Sequence, residues 1–264
     1  MLFFGIILLI AAAICFFFAR SQSNKLADLN ATDTYTTTML HDLHKKVVAT
    51  LGAEALAEPC EIEGHVSCDN PLVAPISGKT CIAYRFTLTR EYSEVVHDTD
   101  SEGRKQTRTQ TGSETIKTEE ECAYFWINDN LGKAWVDPTD AEIDYEAGQN
   151  ILMPSPDKAS ILQFGDFEFA APAANKGARR TTGYRAQEEL FTDDGRAYIL
   201  GCVVDDEGEP TIAYRDKKLK RMIISRETER ELAKSAAGWS RNLYYGAAGT
   251  AVAGIIFTIM GIVS

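Results

Sequence analysis

Charged side chains are missing from both ends of this 264-residue chain, because all 27 Lys/Arg and 38 Asp/Glu residues lie between Arg20 and Arg241. The uncharged ends contain two long apolar runs, at residues 2–19 and 243–263. A helix of 18 residues is about 27 Å long, close to the ~30 Å thickness of a bilayer's hydrocarbon core. We therefore predict two transmembrane helices at these positions. A cleaved signal peptide is the alternative for the first run, but the run has no basic residue at its start and no A-x-A precedes a polar mature start.

The basic residues that flank the two runs predict the orientation of the chain. Arg20 and Lys25 follow the first run, and Lys234 and Arg241 precede the second. Basic flanking residues favour the cytoplasmic side of a membrane. We therefore expect the charged middle of the chain in the cytoplasm.

The chain also lacks the short motifs of the common enzyme classes. No C-x-x-C, H-E-x-x-H, G-x-S-x-G, Walker A or G-x-G-x-x-G pattern occurs, and the six cysteines are scattered. His41 and His44 lie three residues apart on a predicted helix and are the one pair suited to share a metal, but no further ligand accompanies them. We predict a non-enzymatic protein with no catalytic residue, no metal and no cofactor, whose cysteines are reduced thiols.

The middle of the chain predicts an α+β fold, with a β-rich antiparallel cytosolic domain between the two transmembrane helices. Residues 20–57 predict a polar linker followed by an amphipathic helix. Residues 58–225 predict one domain of short strands, and the alternative is a subdomain boundary at 154–178. Residues 92–119 predict a long hairpin with a solvated tip, and the strands of 183–214 predict an antiparallel meander. Residues 226–242 predict a helical stalk that continues into the second transmembrane helix.

Two groups of basic residues are candidate anion-binding sites in a chain whose net charge is −11. Positive charge on an acidic background attracts lipid headgroups, nucleotides and oligonucleotides. The same residues also have three explanations that need no ligand. They are a solvated loop, a juxtamembrane topology signal, and cross-strand pairing with glutamates. The two groups are Arg179, Arg180 and Arg185, and Lys217, Lys218, Lys220 and Arg221.

Small residues recur every four positions along the second apolar run. Small residues at this spacing allow two helices to approach closely. The first run presents bulky phenylalanines instead, as expected of an outer helix. We therefore predict a homo-oligomer with the second helices at its centre, packed through Gly246, Thr250, Gly254 and Thr258.

Several blocks resemble the GIDE domain, also called the beside-a-membrane (BAM) domain, of the Mulan/MAPL family of mitochondrial ubiquitin and SUMO ligases and its prokaryotic relatives. They are IEGHVSCDNPLVAPISGKTCIAYRFTLTREY (62–92), KAWVDPTDAEID (133–144), TGYRAQEELFTDDGRAYILGCVVDDEGEPTI (182–212) and IISRETERELAKS (223–235). The ligases carry a RING with eight Cys/His ligands after the second helix, and no such pattern follows Cys202 here. The resemblance therefore implies a membrane-flanked recognition domain without ligase activity, zinc or E2 partner. Relatives without a RING are prokaryotic, and some are associated with defence genes.

Two functions are consistent with these features. The first is a membrane effector or sensor of the bacterial inner membrane, in which a bound partner, nucleotide or oligonucleotide controls a bundle of second helices. Such a bundle would act as an ion channel in antiviral defence, weakly selective because its Gly, Ala and Thr walls carry no charge. The alternative is a passive membrane scaffold that recruits another protein.

Overall fold

The computed structural model of the protein describes residues 2–99, 105–174 and 179–263, and it divides into two compact units. Unit 1 comprises Met1–Gly64, Asp129–Ala134 and Arg196–Ser264, and unit 2 comprises His65–Asn128 and Trp135–Gly195. The single domain predicted over 58–225 is divided between the two units. The alternative boundary at 154–178 falls inside unit 2.

Unit 1 contains three α-helices: α1 (Leu2–Ala31), α2 (Thr37–Leu51) and α3 (Glu229–Val263). A short 3-10 helix, Ala53–Ala55, follows α2. The helices α1 and α3 are long and apolar enough to cross a membrane. Together with the antiparallel strands described below, they confirm the predicted fold class.

The predicted polar linker after the first apolar run is wrong in its first part, because α1 continues to Ala31. This extension packs along α3. Leu29 is buried in a cluster with Leu232 of α3, and the hydroxyls of Ser23 and Ser240 are 2.7 Å apart. Packing of one apolar side thus keeps a mostly polar segment helical, which a hydropathy pattern does not reveal.

The helix α3 begins three residues later than the predicted stalk and is unbroken through the second apolar run. Its start is a capping box, in which Thr228 Oγ1 accepts from the N–H of Glu231 and Glu231 Oε2 accepts from the N–H of Thr228, at 3.4 and 3.0 Å. Since the helix has no break, the stalk and the candidate membrane span form one rigid rod.

The sheet of unit 1 is centred on β13 (Arg196–Asp206), a long buried strand. It pairs with β14 (Glu209–Ala213) and with β15 (Met222–Ser225). It also pairs with β1 (Ala57–Ser67), which continues past Gly64 into unit 2. The pairs of β13 with β14 and β15 are antiparallel. Alternate residues of β13 face the helices. They are Tyr198, Leu200, Cys202 and Val204, buried with Leu29 and Leu232.

The main sheet of unit 2 has four antiparallel strands, β4 (Ala83–Thr99), β5 (Lys105–Cys122), β9 (Glu146–Pro154) and β12 (Arg179–Phe191). Their order across the sheet is β5-β4-β12-β9. The long hairpin predicted over 92–119 is the outer part of β4 and β5, and its tip, residues 100–104, lies outside the described residues. The predicted meander of 183–214 is wrong in its first strand, because β12 pairs with β4 and β9.

Seven shorter strands complete the fold: β2 (Leu72–Val73), β3 (Thr80–Cys81), β6 (Phe125–Asn128), β7 (Lys133–Val136), β8 (Ala141–Ile143), β10 (Ser160–Phe164) and β11 (Phe167–Ala171). Strands β10 and β11 form a hairpin whose turn contains Gly165 at φ +62°. A Cβ at Gly165 would lie 2.2 Å from the carbonyl oxygen of Ile76, so this close approach requires glycine. The hairpin packs on the core of the unit 2 sheet through Phe164.

Candidate functional site

A buried carboxylate on β1 lies where α1 ends. Glu61 is 3% exposed, and its two oxygens accept from Thr34 Oγ1 at 2.6 Å and from the Tyr198 hydroxyl at 2.7 Å. Burial and the neighbouring Glu61 carboxylate raise the pKa of Tyr198, so the phenol stays protonated as the donor. Thr34 lies three residues after Ala31, the last residue of α1, so Glu61 connects the segment that follows α1 to the sheet.

A second carboxylate on the same strand lies at the start of α3. Glu63 Oε1 accepts from the N–H of Glu229, the first residue of α3, at 3.5 Å. Its other oxygen is 3.8 Å from the guanidinium of Arg196. One strand thus contacts both the segment that follows α1 and the first residue of α3. We call Thr34, Glu61, Glu63, Tyr198 and Glu229 the base junction.

The base junction borders a cleft of about 220 Å³. Asp129, also on its wall, accepts from the N–H and hydroxyl of Thr37 at 2.7 and 2.6 Å and so caps the start of α2. Burial opposes the ionisation of Asp129, but these hydrogen bonds prevail and its pKa is lowered. Four carboxylates make the cleft unfavourable for phosphate. The lining residues are Thr34, Tyr35, Thr36, Glu61, Ile62, Glu63, Asp129, Leu131, Tyr198 and Glu229.

The first predicted anion-binding group is not one cluster. Arg179 bonds Glu94 and the Tyr92 hydroxyl, and its guanidinium lies 3.9 Å from the Tyr92 ring centre. Arg185, farther along β12, bonds Glu91 at 2.7 Å. Arg180 is exposed. Two of the three arginines are therefore neutralised by glutamates on β4.

The second predicted group lies in the turn between β14 and β15, where its members have different surroundings. Lys217, Lys218 and Lys220 are exposed. Arg221 is mostly buried and lies 3.5 Å from Asp28 of α1. Three residues of this group are thus available to solvent and one is part of the packing against α1.

The predicted small-residue stripe of α3 divides between two surroundings. A Cβ on Gly254 would lie 3.0 Å from Leu9 of α1, and one on Gly5 of α1 would lie 2.3 Å from Thr258 Oγ1. Gly254 and Thr258 therefore pack against α1 of the same chain. Rings also meet along this contact, Phe4 with Phe257 and Phe16 with Tyr244, so the bulky side chains of α1 pack against α3.

The other half of the stripe has more open surroundings. A Cβ at Gly246 would meet nothing within 4 Å, and the Thr250 hydroxyl bonds the carbonyl of Gly246 in its own helix. Gly238 and Gly249 are equally open. The spacing of these glycines places them on one side of α3 with Asn242 and Ala253. We call Gly238, Asn242, Gly246, Gly249 and Ala253 the open face of α3.

The two helical histidines have separate partners. His41 Nε2 lies 3.0 Å from the carbonyl oxygen of Lys133, and His44 Nε2 lies 2.6 Å from Asp205 Oδ1. Within residues 2–99, 105–174 and 179–263, no three His, Cys, Asp or Glu side chains are grouped so that they could hold a metal ion.

Comparison with known families identifies the family of this chain. The GIDE family, described as an E3 ubiquitin ligase family, matches residues 93–260. The chain belongs to the GIDE family. The match includes most of the unit 2 sheet, β13 to β15 and nearly all of α3. It confirms the predicted family, although the block at 62–92 lies outside the matched residues. No curated protein and no solved structure matches the chain.

The base junction is the part of this site that sequence reasoning missed. Its members come from positions 34, 61, 63, 198 and 229, and no short motif connects them. One signal was available: Glu61 and Glu63 flank Ile62 at the start of a predicted strand, so their side chains share a face that is not the core face of Ile62.

Proposed function

We propose that this GIDE protein is a non-enzymatic membrane effector or sensor that works as a homo-oligomer. The soluble part receives a partner in the cytoplasm, and α1 and α3 transmit its state to a bundle of membrane helices. The chain has four histidines and six cysteines but no C-x-x-C pair, so it offers no RING-like ligand set. Ligase activity, zinc and an E2 partner are therefore not part of the proposal.

The base junction is the observation that carries this proposal. Glu61 bonds the segment after α1 and Glu63 bonds the first residue of α3, so a shift of β1 acts on both helices. The helix α3 is unbroken for 35 residues, and α1 packs along it. A rigid rod held at one end transmits a displacement, which a flexible linker would absorb.

The open face of α3 supports the oligomer. Its glycines allow a second helix to approach closely, and the exposed Asn242 amide offers hydrogen bonds across such a contact. Since α1 covers a different side of α3, a second copy can dock without displacing α1. We place the open faces, instead of the Gly254 side, at the centre of the bundle.

The partner of the soluble part is, in this proposal, a protein. The carboxylates of the cleft disfavour a nucleotide or oligonucleotide there, and Arg179 and Arg185 are already paired with glutamates. Partner binding would shift the bundle between closed and open states in a bacterial inner membrane. An open bundle lined by small, uncharged residues would pass ions with little selectivity and depolarise an infected cell.

The substitution Gly249→Leu tests this function. It blocks the open face but leaves the packing of α3 on α1 intact, since nothing lies near Gly249. We expect smaller particles in mild detergent and loss of any depolarisation reported by a voltage-sensitive dye. Val252→Leu, at an exposed position of α3, is the control and should retain both properties.

A passive scaffold is the second candidate, favoured by an aromatic surface on unit 2. Trp126 and Trp135 stack with ring centres 3.6 Å apart, and the neighbouring Tyr124 is 49% exposed. Exposed aromatic side chains are common at the centres of protein interfaces. If Gly249→Leu changes neither particle size nor membrane potential while Trp135→Ala removes a bound protein, the scaffold is the correct function.

A further inference from the structure

We propose that residues 215–221, the basic loop, bind the anionic lipid headgroups of the membrane that α1 and α3 enter. The loop presents four exposed cations and one acid, Asp216. Its exposed side chains therefore carry a net charge of +3 (four minus one), in a chain whose net charge is −11. The proposal rests on membrane association and needs neither the oligomer nor the protein partner. The exposed cations are Arg215, Lys217, Lys218 and Lys220.

The basic loop is attached to the two candidate membrane helices. Leu219 is buried in the cluster that contains Leu29 of α1 and Leu232 of α3. Arg221 Nε lies 3.5 Å from Asp28 Oδ2, with only 16% and 14% of these side chains exposed. An apolar anchor and an ion pair thus keep the loop beside the helices instead of free in solvent.

The height of the loop above the membrane follows from α1. Asp28 is nine residues beyond Ala19, the last residue of the apolar run, so it lies about 13 Å above the hydrocarbon core. The headgroup layer occupies about 6 Å of that distance. The remaining gap of about 7 Å is shorter than the Debye length of about 8 Å at physiological salt. The loop therefore lies within the negative potential of an anionic membrane.

The chemistry of the loop favours a lipid surface over a soluble nucleotide. Its lysines are exposed on a turn, and none has an ion pair within the described part of the chain. Lysine is a compact point charge, which suits diffuse attraction to many headgroups more than the planar, bidentate recognition typical of arginine. The mostly buried arginine of the group, Arg221, is already engaged with Asp28.

Fluorescence quenching in nanodiscs tests this inference on the full-length chain. The label is placed at Asp216→Cys in a background where Cys15, Cys68 and Cys122 are serine, because the cysteines at 60, 81 and 202 are buried. The nanodiscs contain phosphatidylcholine alone, or two parts phosphatidylcholine to one part phosphatidylglycerol, with a trace of lipid that carries a nitroxide on its headgroup. We expect the fluorescence of the label to be quenched about twofold more strongly, or more, in the anionic nanodiscs than in the neutral ones.

Salt and two charge-matched variants complete the test. The difference between the two lipids should vanish in about 1 M salt, where the Debye length is about 3 Å. The double variant Lys217→Glu, Lys218→Glu should abolish the difference in quenching between the two lipids. The control, Lys45→Glu with Lys46→Glu, makes the same charge change on α2, which packs on β13 and β14. This control should preserve the difference.

Three results would overturn the proposal: equal quenching in both lipids, a difference that persists in high salt, or equal loss in both double variants. Addition of a short oligonucleotide to neutral nanodiscs provides one further arm. The loop would be assigned to nucleic acid instead if the oligonucleotide bound in a salt-sensitive way that required Lys217 and Lys218, while the quenching showed no dependence on lipid charge. None of these results bears on Gly249 or on the oligomer.

Discussion

At the scale of single residues, Tyr198 connects the sheet of unit 1 to the base junction through one buried hydrogen bond. Tyr198→Phe removes the hydroxyl donor and leaves Glu61 Oε2 buried without that partner. We expect a loss of about 1–3 kcal/mol in the free energy of unfolding. Chemical denaturation in detergent measures it. Tyr214→Phe, whose exposed hydroxyl makes a long 3.5 Å contact, is the control and should change the value by less than about 0.5 kcal/mol. Equal effects in both variants would refute the role of Glu61.

Asp129 gives the same unit a dependence on acid. Its pKa is lowered in the folded protein from an ordinary value of 3.8, so its contribution to stability is present above that value and is lost as the pH falls below it. We expect the protection of the Thr37 amide and of the first turn of α2, expressed relative to the intrinsic exchange rate at each pH, to decrease below about pH 3.8. In Asp129→Asn exchange should be faster at neutral pH and should lose this pH dependence. Exchange that responds to acid equally in both proteins would contradict the assignment.

At the scale of secondary-structure elements, the contact between α1 and α3 is sensitive to added volume. Gly254→Leu places a side chain where Leu9 Cγ is 3.0 Å and the Gly5 carbonyl oxygen 3.2 Å from the new Cβ. Overpacking of this kind typically costs about 1–3 kcal/mol. We expect thermal unfolding of the helices, followed by circular dichroism in detergent, at a lower temperature than in the wild type. Measured on monomers in excess detergent, so that the oligomer does not contribute, Gly249→Leu should unfold at the wild-type temperature, and a matching decrease there would contradict the division of the stripe.

The elements also show what the sequence could and could not predict. Long apolar runs and helix formers identified α1 and α3, and the alternation of Tyr84, Phe86 and Leu88 identified β4. Strands β9 and β10 were missed because most of their residues are exposed. Strand β11 was missed because it is only five residues long, although Phe167 and Phe169 alternate with exposed residues. The end of α1 was misplaced because the helicity of residues 20–31 depends on packing against α3. The base junction joins residues far apart in the chain, so local patterns carried no information on it.

At the scale of the whole molecule, the proposed orientation places every soluble residue on the cytoplasmic side. Cys122 is exposed in unit 2, whereas Cys202 is fully buried in unit 1 and burial raises its pKa to about 11. We expect a membrane-impermeant maleimide to label Cys122 only after the cells are permeabilised. Cys202 should stay unlabelled until the protein is denatured, which provides an internal control. Labelling of Cys122 in intact cells would reverse the topology.

We expect a homo-oligomer in which the open faces of α3 meet while α1 covers another side of the helix. A cysteine cross-linking scan over residues 240–254 in lipid nanodiscs tests this arrangement, with Cys15, Cys68 and Cys122 replaced by serine because the other three cysteines are buried. We predict disulfide-linked dimers at 242, 246, 249 and 253, and none at the positions of Ser240, Ala247 and Gly254, which are buried in the single chain. No cross-linking along the helix, or cross-linking strongest at Ala247 and Gly254, would contradict it.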